Sequence, residues 1–359
     1  MRRLVILSDP NSKPLTGLNT LARHTLQGIP RDVFDDITYM GAPMGDIGDI
    51  KEERTITWAD YTHVLCLDTL LVGGKIKPFQ GTAQVALYVC EPSPYLHTDV
   101  FGRLSGVDRI VVPSVAVKQA LQENSTDSPM EVIEKASVVT PGINFKEYHN
   151  HYISSGDMLR EDILHRIAPG FTPQDFIIFC DADDSAETCH MFRHLMKNVD
   201  SARLLIRSTR EQLVSVQSVV NGNDIPDDKV VIRCPSSTGD NAALYLVSNL
   251  VYRPSTYGFW SYTMQEAMCM NIPVAAGDDY VVGDMISGDA GIPLPTSEFL
   301  PHLRTYTNRV NSYDAAKAVE AAFNNRYQME AGTVAALAKY AVTDYRASAR
   351  SLIKEAFGF

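Results

Sequence analysis

No stretch of eighteen consecutive apolar residues occurs in the 359-residue chain, so no segment has the length of a membrane-crossing helix. Cysteine is sparse. Its six copies, Cys66, Cys90, Cys180, Cys189, Cys234 and Cys269, show no C-x-x-C spacing, which points to reduced thiols and to a soluble, cytoplasmic protein. Basic residues are outnumbered, 32 Lys and Arg against 43 Asp and Glu for a net charge of −11. That balance argues against nucleic acid as a partner, because its binders concentrate positive charge on one face. An anionic ligand must therefore be gripped locally, by a few donors. Also missing are a Walker loop, an intact G-x-G-x-x-G, zinc-protease spacing and a Ser-His-Asp order, which counts against kinases, ordinary dehydrogenases and hydrolases. The N-terminal Met1-Arg2-Arg3 precedes an apolar run that ends within five residues at Ser8-Asp9-Pro10, too short for a secretory signal and right for a buried first strand.

What is present is alternation. Short apolar, largely β-branched runs at Leu4–Leu7, Val64–Leu67, Val85–Val89, Arg109–Val112 and Ser137–Val139 are separated by helix-like stretches such as Leu18–Leu26 and Val115–Leu121, the latter capped by Ser114. Parallel βαβ units read this way. After a polar stretch around His149–Asp157 the pattern restarts, with strands expected at Phe176–Cys180, Ala202–Arg207, Val230–Arg233, Leu250–Arg253 and Pro273–Ala276. Helices fit between them at Ser185–Asn198, Glu211–Val220, Asn241–Val247 and Tyr262–Met270. At about 150 residues per domain the length suggests two units. The reading is α/β, with two Rossmann-like domains facing across a deep cleft: residues 1–150, residues 151–340, and an amphipathic C-terminal helix within 341–359 crossing back to the first domain. Residues 315–359 are nearly all helical in composition.

The most informative stretch runs from Val251 to Ala276. It reads as a buried strand, a tight loop, a helix, an Asn-Ile-Pro connection and a second buried strand. A loop that feeds a helix N-terminus leaves backbone N–H groups pointing outward, and the macrodipole adds positive charge there. A diphosphate fits against Ser261, Tyr262 and Thr263. Glu266, one turn on, lies on the same helical side as Tyr262 and Thr263, where a carboxylate can accept from two adjacent sugar hydroxyls.

Pro254-Ser255, then Glu266-Ala267-Met268, then Asn271-Ile272-Pro273-Val274 resembles, without a gap, the donor motif P-S-x-x-E-G-F-G-x-x-x-x-E-A-M-A-x-G-x-P-V of retaining family 4 glycosyltransferases, which have the two-domain GT-B fold. Compact, divergent and virus-encoded members of that family exist. Carried over by position, the resemblance implies that Glu266 holds the nucleotide ribose, that Trp260 occupies the loop phenylalanine position, and that the amides of Ser261 and Tyr262 face the diphosphate. Gly258 stands where the family has the glutamate that contacts the transferred sugar. The basic pair of the family falls in Cys180–Glu187, which holds no Lys or Arg. Arg207 and Arg233, at expected strand ends, are the candidate replacements. Thr16-Gly17-Leu18-Asn19 is similar to the family's glycine loop, which places Gly17 on the donor. Tyr88–Pro94 resembles the strand end bearing His-Glu-Pro, with Cys90 at the histidine position beside Glu91; with His97, these residues would line the acceptor side.

The resemblance implies hexosyl transfer from a nucleotide-diphosphate sugar to a glycan acceptor, with retention of anomeric configuration. Family composition leans to GDP-mannose, then UDP-glucose. No protein nucleophile, cofactor or metal is expected, and a homodimer is left open. Asp181, Asp183 and Asp184 lack calcium-loop spacing and suit helix capping better. A donor-binding protein without turnover and a nucleotide-sugar epimerase of the same fold are the alternatives.

Overall fold

The computed structural model describes residues 1–8, 17–44, 47–67, 81–89, 95–96, 106–124, 133–146, 148, 160–254, 260–277, 285–286, 291–302, 305–325 and 344–359. Its first sheet is built from β1 (Arg3–Leu7), β2 (Asp36–Met40), β3 (Lys51–Glu52), β4 (His63–Cys66), β5 (Gln84–Tyr88), β7 (Arg109–Val112) and β8 (Ser137–Val138). Their order is β3-β2-β1-β4-β5-β7-β8, and every neighbouring pair is parallel. Leu4, Val5, Ile6 and Leu7 of the first strand are wholly buried. Alternate residues serve two different cores: Val5 and Leu7 point to one cluster, Leu4 and Ile6 to another. This is why the run is apolar throughout rather than alternating.

The second sheet repeats the plan with β9 (Phe176–Asp181), β10 (Ala202–Arg207), β11 (Val230–Arg233), β12 (Leu250–Arg253), β13 (Val274–Gly277) and β14 (Ile292–Leu294). The order β11-β10-β9-β12-β13-β14 is all parallel. Chain order reverses between β9 and β12. In such sheets ligands bind outside the carboxyl ends of the strands at that switch point. The architecture expected from sequence, two parallel-sheet α/β units, is thus observed.

Among the described residues the α-helices are α1 (Gly17–Gly28), α2 (Val115–Asn124), α3 (Arg160–Ile167), α4 (Ser185–Leu195), α5 (Leu213–Gly222), α6 (Thr238–Val247), α7 (Tyr262–Cys269), α8 (Ser312–Asn324) and α9 (Tyr345–Phe357). Sequence reading misses β2, β3, β14 and α3. It also misses a small antiparallel sheet in which a hairpin, β15 (Thr296–His302) and β16 (Thr305–Val310), pairs with β6 (Tyr95–Leu96). The helical composition of 315–359 agrees with its described parts, which are α8 and α9.

The C-terminal helix does cross back. Asp344 caps α9 by accepting from the amides of Arg346 and Ala347, and Gly358 ends it in the left-handed region at φ 77°. Leu352, Ile353, Ala356 and Phe357 enter the core formed by α1 and the first sheet, each large side chain contributing about 1.5–3 kcal/mol on burial. Two glycines make room. A Cβ on Gly142 would stand 2.5 Å from the Tyr345 Cα, and one on Gly28 would stand 2.7 Å from the Tyr345 carbonyl oxygen. No described helix is long and apolar enough to cross a membrane.

Candidate functional site

Strand register assembles the first part of the site. Pairing of β10 with β9 sets Arg207 beside Asp181 at the carboxyl ends of both strands. The Arg207 Nε donates to Asp181 Oδ1 at 2.6 Å. Its Nη1 donates to Asn241 Oδ1 at 2.6 Å, to the Tyr245 hydroxyl at 3.2 Å and to Glu266 Oε2 at 3.4 Å, and its Nη2 to Thr263 Oγ1 at 2.9 Å. Thr263 in turn donates to Asp181 Oδ2 at 2.6 Å. Burial pushes the Asp181 carboxyl up, but the Arg207 charge and the hydrogen bonds from Arg207 and Thr263 outweigh it and hold the group below the usual carboxylate range.

The second part is α7. Ser261 caps it, its Oγ accepting from the Met264 amide at 3.3 Å. All eight helical residues are buried. Met264, Ala267 and Met268 pack into the core of the second sheet, whereas Tyr262 and Trp260 reach the core of the first. The helix therefore plugs into both units, which explains an apolar pattern wider than one face. Its first turn carries the amides that lie outside the intrahelical ladder, and it follows β12, beside the switch point. Just past the C-cap Met270, Asn271 adopts φ 58°. Asparagine is among the few non-glycine residues that tolerate this conformation, and it stands where the family motif has glycine.

Glu266 is 4% exposed. Its Oε1 accepts from the Tyr148 hydroxyl at 2.6 Å; its Oε2 accepts from the Tyr245 hydroxyl at 2.6 Å, from Asn241 Nδ2 at 3.3 Å and from Arg207. Protein donors therefore reach both carboxylate oxygens, where the sequence reading places two sugar hydroxyls. Arg207, a candidate for the diphosphate, lies between the carboxylates of Asp181 and Glu266. Arg233, half-buried on the edge strand β11, donates through Nε to the Ile167 carbonyl. Each aspartate of the 181–184 loop is likewise engaged, Asp183 accepting from Gln212 at 2.7 Å and Asp184 pairing with Arg253 at 2.9 Å.

The two units meet through the same helix. Gln265, wholly buried, accepts from Trp260 Nε1 at 3.0 Å and donates to the Pro141 carbonyl at 3.1 Å. The His24 ring stands edge-on to Tyr262 at 5.7 Å. Burial, with the Arg23 charge adding to it, lowers His24 to about 3 despite its bond to the Gly142 carbonyl, so the ring is neutral at physiological pH. Gly17 opens α1. Gly258, Cys90, Glu91 and His97 lie outside the described residues.

Sequence reasoning misses Asn241, Tyr245 and Tyr148. Asn241 and Tyr245 are four apart, on one side of α6, a spacing that could have revealed them. Tyr148 sits in a polar stretch without periodicity and gives no signal.

No family model matches the sequence, and no curated protein matches it. Solved structures do match in fold. HepE of Anabaena, in complex with UDP, aligns with a TM-score of 0.71 at 12% identity over 100% of both chains. An α,α-trehalose-phosphate synthase (UDP-forming) of Burkholderia xenovorans aligns at 0.70 and 9%, over 99% of this chain and 100% of its own. Sucrose-phosphate synthase of Thermosynechococcus elongatus aligns at 0.69 and 12%, over 97% and 96%. The chain has the fold of these proteins from end to end, which is the GT-B fold.

Proposed function

We propose that the chain is a glycosyltransferase that takes a hexose from a nucleotide-diphosphate sugar and passes it to a glycan, with retention at the anomeric carbon. The observation that carries this reading is the capped, buried N-terminus of α7 at the switch point of the second sheet, where the first-turn amides and the helix dipole favour a diphosphate. Residues 1–150 would then carry the acceptor and residues 151–340 the donor. Three of the matching structures were solved with UDP, with UDP and glucose, or with UDP-glucose, which sets UDP-glucose beside GDP-mannose as a donor to test. Orientation and charge stabilisation by the α7 amides are the chain's contribution to the chemistry. The leaving diphosphate oxygen takes the acceptor proton on the same face, so no strong protein nucleophile and no resident metal enter the proposal.

A specific observation favours one second reading, a donor-binding protein without turnover. Arg207 is held by two carboxylates, and Cys180–Glu187 has no basic side chain. A thermal-shift panel of GDP-, UDP-, ADP- and dTDP-sugars is expected to single out one base, because a ligand bound to the native state raises the melting temperature. Sugar release from that donor, over an acceptor library or slowly to water, supports transfer. Binding with no release supports the second reading, and no shift at millimolar ligand overturns both.

A further inference from the structure

The donors to Glu266 do not all come from one place. Asn241, Tyr245 and Arg207 belong to the second unit and converge on Oε2. The bond recorded at Oε1 comes from Tyr148, in the segment joining β8 to β9, over 2.6 Å. Tyr148 is 1% exposed, and it belongs to the core that also holds Ile143, Ile163 and Leu164. Burial and the adjacent carboxylate raise the phenol well above its ordinary range, so it remains a hydrogen-bond donor at any physiological pH. A phenol donating to a carboxylate presents the same chemistry as a sugar hydroxyl donating to it. The next residue of α7, Gln265, holds the same joining segment through the Pro141 carbonyl.

We propose that the Tyr148 hydroxyl occupies the place of a donor ribose hydroxyl, and that a nucleotide sugar binds by displacing it from Glu266 Oε1, which frees Tyr148 from α7. This rests on the donor site proposed above. Displacement exchanges one charge-assisted bond for another, so the phenol lowers affinity by the fraction of molecules in which it sits in place. It also ties binding to the residues that follow β8: releasing Tyr148 removes a contact between them and α7, while Gln265 keeps its bond to the Pro141 carbonyl. Tyr148 is on this account a gating residue that acts through Glu266.

Calorimetric titration of UDP, UDP-glucose, GDP and GDP-mannose into the wild type, Tyr148→Phe and Glu266→Gln tests it. Phenylalanine keeps the ring in the core and leaves Oε1 open in the free protein, so Tyr148→Phe is expected to bind the preferred nucleotide at least about fivefold tighter, and Glu266→Gln weaker than wild type. Hydrogen exchange on the wild type gives a second readout that needs no variant to fold: amides in 141–148 are expected to exchange faster with nucleotide bound. Equal or weaker binding by Tyr148→Phe, or unchanged or slower exchange in 141–148, overturns the gate while leaving the donor site standing. Failure of every form to bind any of the four nucleotides overturns the donor site, and the gate with it.

Discussion

At the scale of single residues, Arg207 decides the character of the interior behind α7. One guanidinium satisfies Asp181, Glu266, Asn241 and Thr263 at once, and it is 8% exposed. Removing one member of a buried ion pair leaves an uncompensated charge and costs about 3–5 kcal/mol, so Arg207→Ala is expected to lose about that much in urea unfolding at pH 7. The pH dependence has a definite sign. Asp181 is depressed in the folded state, so its pairing contributes stability above the unfolded carboxylate value of about 3.9 and loses it as the pH falls through the folded value. In Arg207→Ala the Thr263 hydrogen bond and the Arg253 charge still oppose the burial effect, but Asp181 is less depressed and that dependence is weaker. The stability gap between wild type and variant should narrow from pH 7 to about pH 3. A gap that stays constant or widens would show that Asp181 does not feel Arg207.

At the scale of elements, among the described residues the C-terminal helix and α7 both reach from the second half of the chain into the core of the first sheet. Ser348 donates to the Thr140 carbonyl at 2.7 Å, and Ser137 to Glu355 at the same distance, so α9 is fastened polar edge and apolar face alike. Its closeness to the 140–142 turn depends on Gly142. Gly142→Ala would force a Cβ against the Tyr345 backbone, and overpacking of this kind typically costs about 1–3 kcal/mol. The variant should melt lower and lose hydrogen-exchange protection over residues 345–357 before the second sheet loses any; unchanged protection there would contradict the close approach. The elements that the sequence made legible are those whose residues are apolar on both faces of a parallel strand: Arg109–Val112, Ala202–Arg207, Val230–Arg233 and Leu250–Arg253 are observed with the bounds read from sequence. The edge strand Lys51–Glu52 is exposed and polar, and β14 begins half-buried with a proline inside it, so neither carries the hydrophobic pattern that reveals a strand. The β15–β16 hairpin lies at residues 296–310, a stretch for which the sequence analysis makes no strand assignment.

At the scale of the whole molecule, the two parallel sheets and the returning helix reproduce the GT-B fold over the full length at about one identical residue in ten. Fold survives that divergence because it needs only apolar strands, amphipathic helices and a few glycines. A site needs particular atoms, and here legibility stopped short. The position of α7 follows from the motif, whereas its serine cap and the left-handed Asn271 come from the structure. The closed ring of donors around Glu266 does not follow from the motif either, since Tyr148 lies about 120 residues away in sequence, with no local pattern to announce it. The α7 amides are the centre of the account, and a crystal structure of the chain with whichever nucleotide sugar the thermal panel selects examines them most directly. The account predicts diphosphate oxygens about 3 Å from the backbone nitrogens of residues 261–263. A donor bound with its phosphates elsewhere in the molecule would contradict it.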